Sequence, residues 1–510
     1  MFKKLLAQKI FWVMVLFLIV NIFFLTKYPF VHSDEPWLSG LTRNMLEKGS
    51  LSVTETFFDA YPRNPHAIKI LFHIAQMPFM IIFGYNIFSF RLMSLAFGAA
   101  SLFVFYRCAL KLGVSEFISL LAACVMAADV QFIYASHFAR QEIVITFLML
   151  LSFSSLLTYY ETRKLRFLLY SAFALAAGFF VHPNGFVAAC MIYAVIIYGL
   201  CHKKITVKNA IAHLAVVAAG GALVISVSLI FDNQFFAHYI AYGSELGVFE
   251  PPAARLPSLA QYFIQLFWRV SGTYYTPEIK FQLLLFSFLL LASVVTVIAK
   301  SRLAPHVTPL LSALAGLMCG IVIIGRYNQT AIIFFFPFFY LLMAVLSGGI
   351  PRRGLTLFAV LAVTAAVSVF NIAPWLQYDY GSYLAQIKAY VPAGAKTLCN
   401  LNAEYAFTNG ALIDYRNLSR LPEHLTVENY IRLEGVEYIV YPSELDFIYS
   451  QRPRWNGIYG NLSWHDDMKT FLAVHCEPLY SFTDDTYCVR IVRYMNSGLG
   501  FSAVVYKVVD

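Results

Sequence analysis

The sequence predicts a polytopic α-helical membrane protein of about eleven spans, followed by a soluble α/β domain on the external side. Three observations predict it. Apolar residues make up 59% of the 510 and charged residues only 13%, about half the charged share of an average soluble domain. The apolar excess comes as repeated runs of about 18–25 residues, the length that crosses a hydrocarbon core of about 30 Å. Charge is unevenly spread: residues 1–375 hold 26 Lys/Arg and 13 Asp/Glu, whereas residues 376–510 hold 11 and 15. A soluble enzyme, a fibrous chain and a disordered chain are excluded. The net charge of +9 does not point to nucleic acid, because the basic residues fall in short clusters between apolar runs, as positive-inside topology requires.

Lys3, Lys4 and Lys9 precede an apolar run from Ile10 to about Leu25. Thr26 to Ser33 lacks a small-residue cleavage site, so the run reads as an uncleaved first span with a cytoplasmic N-terminus. Further spans are expected near 92–110, 115–135, 143–160, 167–181, 185–200, 209–231, 281–299, 307–325, 330–347 and 355–374. Arg107/Lys111, Arg163/Lys164/Arg166, Lys203/Lys204/Lys208, Lys300/Arg302 and Arg352/Arg353 then share the N-terminal side, while Asp34, Glu35, Glu47, Glu55, Asp59, Asp232 and Glu278 take the other. The apolar stretch 68–83 would invert every later cluster if it crossed, and it carries Lys69, His73, Gln76 and Pro78. It reads as an interfacial helix against the outer leaflet. An odd number of spans leaves the membrane unit at 1–375 and places 376–510 outside. Two external loops, about 27–91 and 232–280, exceed ordinary connections by far, which puts the working site on that face.

In the tail, Ala395–Cys399 and Val436–Tyr441 read as strands, with Phe471–Ser481 and Cys488–Tyr494 as further candidates and Asp446–Leu462 as a long loop. Of the eight cysteines, Cys476 and Cys488 face an oxidising side in this topology and could pair.

The groups able to carry chemistry gather at the outer rim. His32-Ser33-Asp34-Glu35 follows the first span directly, so Asp34 is held on a rigid element. A carboxylate at that depth can have a raised pKa and act as a base; it is equally the edge of an acidic loop. Arg140-Gln141-Glu142 opens the fourth span. Arg140 could grip a phosphate through its planar fork and Glu142 orient it or bind a sugar hydroxyl, or the two could simply pair. Asp129, within the third span, should face the bundle interior. His182-Pro183-Asn184-Gly185 is a ligand or a turn. Arg326-Tyr327 and Arg91 add two more rim cations, also explicable as interface anchors. No P-loop, Rossmann fingerprint or HExxH is present, and an external site has no ATP supply, so an activated substrate should arrive within the membrane. A lipid ending in a phosphate fits the cations.

These motifs resemble the GT-C superfamily of polyprenyl-phosphate-sugar glycosyltransferases, and most closely its bacterial protein O-mannosyltransferase-like and lipid A aminoarabinose-transferase-like branch. Asp34-Glu35 stands where that family keeps an acidic motif. Asn64-Pro65-His66, an apolar helix, Phe83-Gly84 and Arg91-Leu92-Met93-Ser94 follow in the family's order. Arg140-Gln141-Glu142 matches its Arg-x-Asp/Glu, and Arg326-Tyr327 resembles its late Arg-Tyr segment. His66 replaces a proline, and His182-Pro183-Asn184-Gly185 replaces a Lys-Gly element, so His182, Arg140 and Arg326 stay open as phosphate ligands.

The resemblance implies a GT-C fold and inverting transfer of a sugar from a polyprenyl-phosphate donor to an envelope glycan, glycolipid or protein hydroxyl. Asp34, with Glu35 beside it, would be catalytic. Arg140, Glu142, His182, Arg326, Tyr327 and Arg91 would bind the donor phosphate or sugar. Asp34, Glu35 and Glu142 could hold a divalent ion, but no dense ligand cluster demands one, and no metal or other cofactor is expected. A flippase for lipid-linked sugars would predict internal repeats and mid-membrane ionisable groups, and an O-antigen-type polymerase would favour diphosphate recognition over the early Asp-Glu. No repeat is apparent and most ionisable residues cluster at the outer rim, which favours the transferase, with the flippase and the polymerase as alternatives.

Overall fold

The computed structural model describes residues 9–245, 251–325 and 327–509. In chain order the first helices are α1 (Lys9–Ile22), α2 (Asp34–Lys48), α3 (Ile70–Phe83), α4 (Ile87–Lys111), α5 (Glu116–Ala127), α6 (Val130–His137), α7 (Glu142–Thr162), α8 (Leu165–Phe179), α9 (Gly185–Cys201) and α10 (Val207–Phe231). There follow α11 (Phe235–Glu245), α12 (Pro252–Trp268), α13 (Lys280–Ile298), α14 (Ala304–Ile324), α15 (Phe336–Leu346), α16 (Arg353–Ile372) and α17 (Tyr380–Lys388). Among the described residues seven helical stretches are long and apolar enough to cross a membrane, or eight if the bent pair α5–α6 is one span; α1, α3, α8 and α9 are shorter apolar helices. The chain is a multi-pass α-helical membrane protein. A strict length test supports seven or eight spans and not specifically eleven, because three of the expected spans fold into helices of only 14 to 17 residues.

The expected continuous span at 115–135 is broken. α5 and α6 meet at 65°, and the cause is Asp129. Its backbone is extended and its Oδ1 accepts the N–H groups of Gln131 and Phe132 at 2.9 and 3.0 Å, capping α6 where a straight helix would continue. Its Oδ2 accepts from Gln282 and from the Tyr340 hydroxyl, both at 2.8 Å. The costly carboxylate thus faces the bundle interior with four hydrogen bonds.

One buried ion pair ties the outer ends of these helices together. Arg91, in the first turns of α4, is fully buried, and all five of its N–H groups are used. Nε and Nη2 donate to the two oxygens of Glu35 at 2.8 Å each. Nη1 donates to the carbonyls of Leu25 and Pro29 at 2.9 Å, and Nη2 to Phe30 at 3.3 Å. Glu35 in turn accepts the N–H of Ala139 at 3.0 Å and of His32 at 3.1 Å. The segment leaving α1, the start of α2, α4 and the turn before α7 are therefore locked to one another.

The tail is α/β. Five strands, β1 (Thr397–Cys399), β2 (Leu412–Asp414), β3 (Tyr438–Pro442), β4 (Cys476–Thr483) and β5 (Ser502–Val508), form one sheet in the order β2-β1-β3-β5-β4. β1 is parallel to both neighbours, and β5 is antiparallel to β3 and β4. Helices α18 (Val427–Leu433), α19 (Glu444–Gln451) and α20 (His465–His475) complete it. The expected strands at 395–399 and 436–441 are found. Of the stretch 471–481, the first half belongs to α20; 488–494 holds only a short 3₁₀ turn, and the expected loop 446–462 is largely α19 and another 3₁₀ turn. Cys476 and Cys488 are both free thiols, since Cys476 pairs in register with Val508 at the far end of β4 and Cys488 lies outside the sheet.

The tail sits on α2 and on the loop between α2 and α3. Arg43 of α2 forms a buried ion pair with Glu404 and donates to Phe407 O at 2.9 Å. Ser39 and Tyr405 share a hydroxyl contact of 2.8 Å, Phe57 O accepts from Asp414 N and Asn417, and Tyr430 donates to Asp59. The main apolar core runs without interruption from the bundle into the tail.

Removing one partner of a buried pair strands the other charge, a cost of about 3–5 kcal/mol. Arg91→Met should therefore lower the stability of detergent-solubilised protein by that order in thermal unfolding. A midpoint equal to that of the wild type would contradict the locking role.

Candidate active site

The lock sets the positions of its sequence neighbours. Asp34 is the first residue of α2, where the helix N-terminus favours a negative charge. Arg140 follows Ala139, whose N–H is bound to Glu35. The two side chains meet: Arg140 Nη1 donates to Asp34 Oδ2 at 2.9 Å. Arg140 Nη2 lies 3.2 Å from Glu142 Oε1, which also accepts from the Thr330 hydroxyl at 2.8 Å. A guanidinium thus bridges two carboxylates. Arg140 Nε and Glu142 Oε2 are buried with no hydrogen-bond partner among the described residues. No three His, Cys, Asp or Glu among the described residues are grouped as metal ligands.

The loop between α12 and α13 adds Tyr274. Its hydroxyl donates to Asp34 Oδ2 at 2.5 Å, its ring stacks on His32 at 4.4 Å and 15°, and the Arg140 guanidinium lies 4.9 Å from the ring centre. Burial pushes the Tyr274 hydroxyl up, so it stays protonated and remains a donor. Burial likewise holds His32 down at about 4. Its Nδ1 accepts the Asp34 N–H at 3.0 Å, which leaves any ring proton on Nε2. The tail contributes Arg490, which donates to Ser33 Oγ at 2.9 Å.

Burial alone would push the Asp34 carboxyl up, but His32, Arg140 and the Tyr274 hydrogen bond outweigh it and hold Asp34 well below the usual carboxylate range. This corrects the expectation of a raised pKa: depth in the membrane surface matters less than the cation and the hydroxyl in contact. The side chain of Asp34 is 24% exposed, against 0% for Glu35 and 3% for Glu142. Of the three carboxylates, Asp34 is the one a substrate can reach.

The remaining expected residues separate. Glu35 has all its acceptor capacity engaged and Arg91 all its donors, so the pair positions the site and has nothing left for substrate. His182 sits in the α8–α9 turn with its Nδ1 accepting the Asn184 N–H at 3.1 Å. That turn has a structural need for glycine, since a Cβ on Gly185 would fall 2.6 Å from Gly178 O. Tyr327 donates to the Arg255 carbonyl at 2.9 Å. Arg326 lies outside the described residues.

Lys69, just before α3, is a neighbour of the site that the sequence alone does not single out. It lies within electrostatic reach of both Arg140 and Asp34, and burial, aided by Arg63 and Arg140, lowers it to about 8. Arg63 is committed to Glu55 through two bonds of 2.9 and 3.0 Å, whereas the Lys69 ammonium has no hydrogen bond or ion pair among the described residues. The available signal was a lysine at the mouth of an otherwise apolar helix on the external side.

Residues 68–243 match the model of the dolichyl-phosphate-mannose-protein mannosyltransferase family. Three solved structures share the architecture. ArnT from Cupriavidus metallidurans bound to undecaprenyl phosphate is 12% identical, with 97% of each chain covered and a TM-score of 0.55. The oligosaccharyltransferase of Archaeoglobus fulgidus, in complex with zinc and sulfate, is 11% identical, covers 87% of this chain and 70% of its own, and has a TM-score of 0.52. AglB of the same organism, with an inhibitory peptide and a dolichol-phosphate, is 13% identical over 90% and 72%, at 0.51. No curated protein sequence matches the chain. Residues 68–243 thus resemble the protein mannosyltransferase family, and the chain as a whole shares the fold of these three structures.

Tyr274→Phe removes one of the contacts that hold Asp34 down. Should Asp34 titrate in turnover, the acid limb of kcat/KM should move up by about one pH unit, the worth of one hydrogen bond to a charge. An acid limb identical to that of the wild type would show that the contact does not tune the working group.

Proposed function

We propose that this protein transfers a sugar from a polyprenyl-phosphate carrier to an acceptor hydroxyl at the external face of the membrane, with inversion. The acceptor is an envelope glycan, a glycolipid or a protein side chain. The observation that carries this reading is the contact set at Asp34: one reachable carboxylate, bound to Arg140 and Tyr274, with Lys69, which has no ion pair among the described residues, within electrostatic reach.

Two cations suit a phosphodiester. Lys69 and the half-committed fork of Arg140 would take the donor phosphate, with Glu142 holding Arg140 in place. As the acceptor oxygen attacks the anomeric carbon, the bond to the phosphate oxygen breaks and polyprenyl phosphate leaves, its new charge neutralised without a protonated acid. Asp34 accepts the acceptor's proton. In the resting site it is a weak base because Arg140 neutralises it. When Arg140 turns to the phosphate, that stabilisation falls and the carboxylate becomes more basic, so donor binding arms the base.

In this reading α1, α8 and α9 also cross, which gives eleven spans. α3 lies along the outer leaflet, and the boundary between membrane unit and external domain falls at 375/376. The basic turns after α4, α7, α9 and α13 then face the cytoplasm.

Undecaprenyl phosphate, titrated into the purified protein, tests the donor site. Lys69→Met should weaken its binding at least about tenfold, the worth of one charge-assisted contact, and should raise the donor KM more than it lowers kcat. A phosphodiester donor does not titrate near neutrality. KM should thus hold steady below pH 7.5 and rise above about 8 as the Lys69 ammonium is lost, a rise that Lys69→Arg should abolish. Unchanged binding in both Lys69→Met and Arg140→Ala would overturn the donor assignment.

A further inference from the structure

The opposite end of the bundle carries a second cluster of cations around a cavity, and the transfer reaction uses none of it. α4 runs from Arg91, beside the site, to Lys111, so the turn at Leu112-Gly113 lies about 30 Å away at 1.5 Å per residue. Against that turn a cavity of about 230 Å³ opens between Gly113, the start of α14 and the start of α16. Arg302, His306 and Arg353 line it, no carboxylate does, and Leu112, Leu303 and Val345 supply apolar wall. A shallower depression shares Arg353 and adds Arg352. The side chains of Arg302, Arg352 and Arg353 make no ion pair among the described residues.

Two backbone features shape this cavity. Gly113 has φ +78°, and its missing Cβ lets the His306 ring approach: an added Cβ would lie 3.3 Å from Cε1. Arg352 itself has φ +54° and stands at the N-cap of α16, whose first helical residue is Arg353. Arg163, Lys203 and Lys300 take the same conformation in other basic turns, so the cavity is what sets this turn apart: charges that only set topology need none.

We propose that this cavity binds the phosphate of an anionic phospholipid in the leaflet opposite the active site. Arg302, Arg353 and His306 would take the headgroup, and the apolar wall would take the start of an acyl chain. A lipid is favoured over free phosphate because the cavity is walled on one side by leucine and valine and lies at the end of membrane helices, where headgroups reside.

The test uses full-length protein purified in detergent, with retained phosphatidylglycerol and phosphatidylcholine counted by native mass spectrometry. The wild type should retain phosphatidylglycerol in preference. Arg302→Gln and Arg353→Gln should each weaken retention about tenfold, while Lys208→Gln, on the same face but outside the cavity, should not. Lys300 and Arg352 remain in both variants to keep the topology. Independently of any variant, a photoactivatable phosphatidylglycerol should crosslink to wild-type peptides around 302–306 and 350–355. Equal retention of the two lipids, equal loss in all three variants, or crosslinks confined to other helices would overturn the proposal. Displacement of the lipid by millimolar inorganic phosphate would overturn it in favour of a free-phosphate site.

Discussion

The pairing of Arg91 with Glu35 is the constraint on which the outer face depends. A guanidinium with five donors buried among helix ends is tolerable only if all five are met. Here they are met by two carboxylate oxygens and three carbonyls from the segment that leaves α1. Glu35 passes the constraint on to Ala139 and His32. Asp34 and Arg140 each follow or precede a locked residue by one position, so their contact is inherited from the lock and needs no further device. The adjacent carboxylates of the Asp-Glu pair therefore divide the work: one is buried and holds, the other is reachable and acts.

The tail takes part in this arrangement. Through Arg43 with Glu404, Ser39 with Tyr405 and Arg490 with Ser33, it grips the middle of α2 and the residue just before Asp34. Burial pushes the Glu404 carboxyl up to about 8 despite Arg43. The soluble domain is thus a wall of the site and a brace for its first helix.

Much of this was legible in the chain. Apolar runs located most of the membrane helices, because the length that crosses a lipid core acts on local sequence. Asp34, Arg140 and Glu142 stood out as polar residues at helix starts, and the structure brings them together. What was not legible depends on distance. Tyr274 meets Asp34 across 240 residues, and nothing local marks one tyrosine among 32. The break at Asp129 needed its partners Gln282 and Tyr340 to be known. Strands of three residues, such as β2, are too short to show alternation, whereas Ser502–Val508 does alternate in burial and carried a signal that went unread. Arg91 was misjudged as a rim cation because sequence shows a charge but not the carbonyls that surround it.

The account turns on one claim, that Asp34 is the group that deprotonates the acceptor once Arg140 has turned to the donor phosphate. The most direct measurement compares wild type and Asp34→Asn for sugar release from an undecaprenyl-phosphate-linked sugar presented with envelope acceptor, alongside binding of undecaprenyl phosphate to each. Asn keeps the shape of the side chain and its contact with Tyr274. Turnover should therefore fall by about 10²–10⁴-fold, the usual worth of a positioned base, while lipid-phosphate binding stays within a few-fold or tightens as Arg140 is released. Turnover near the wild-type rate in Asp34→Asn would contradict the account.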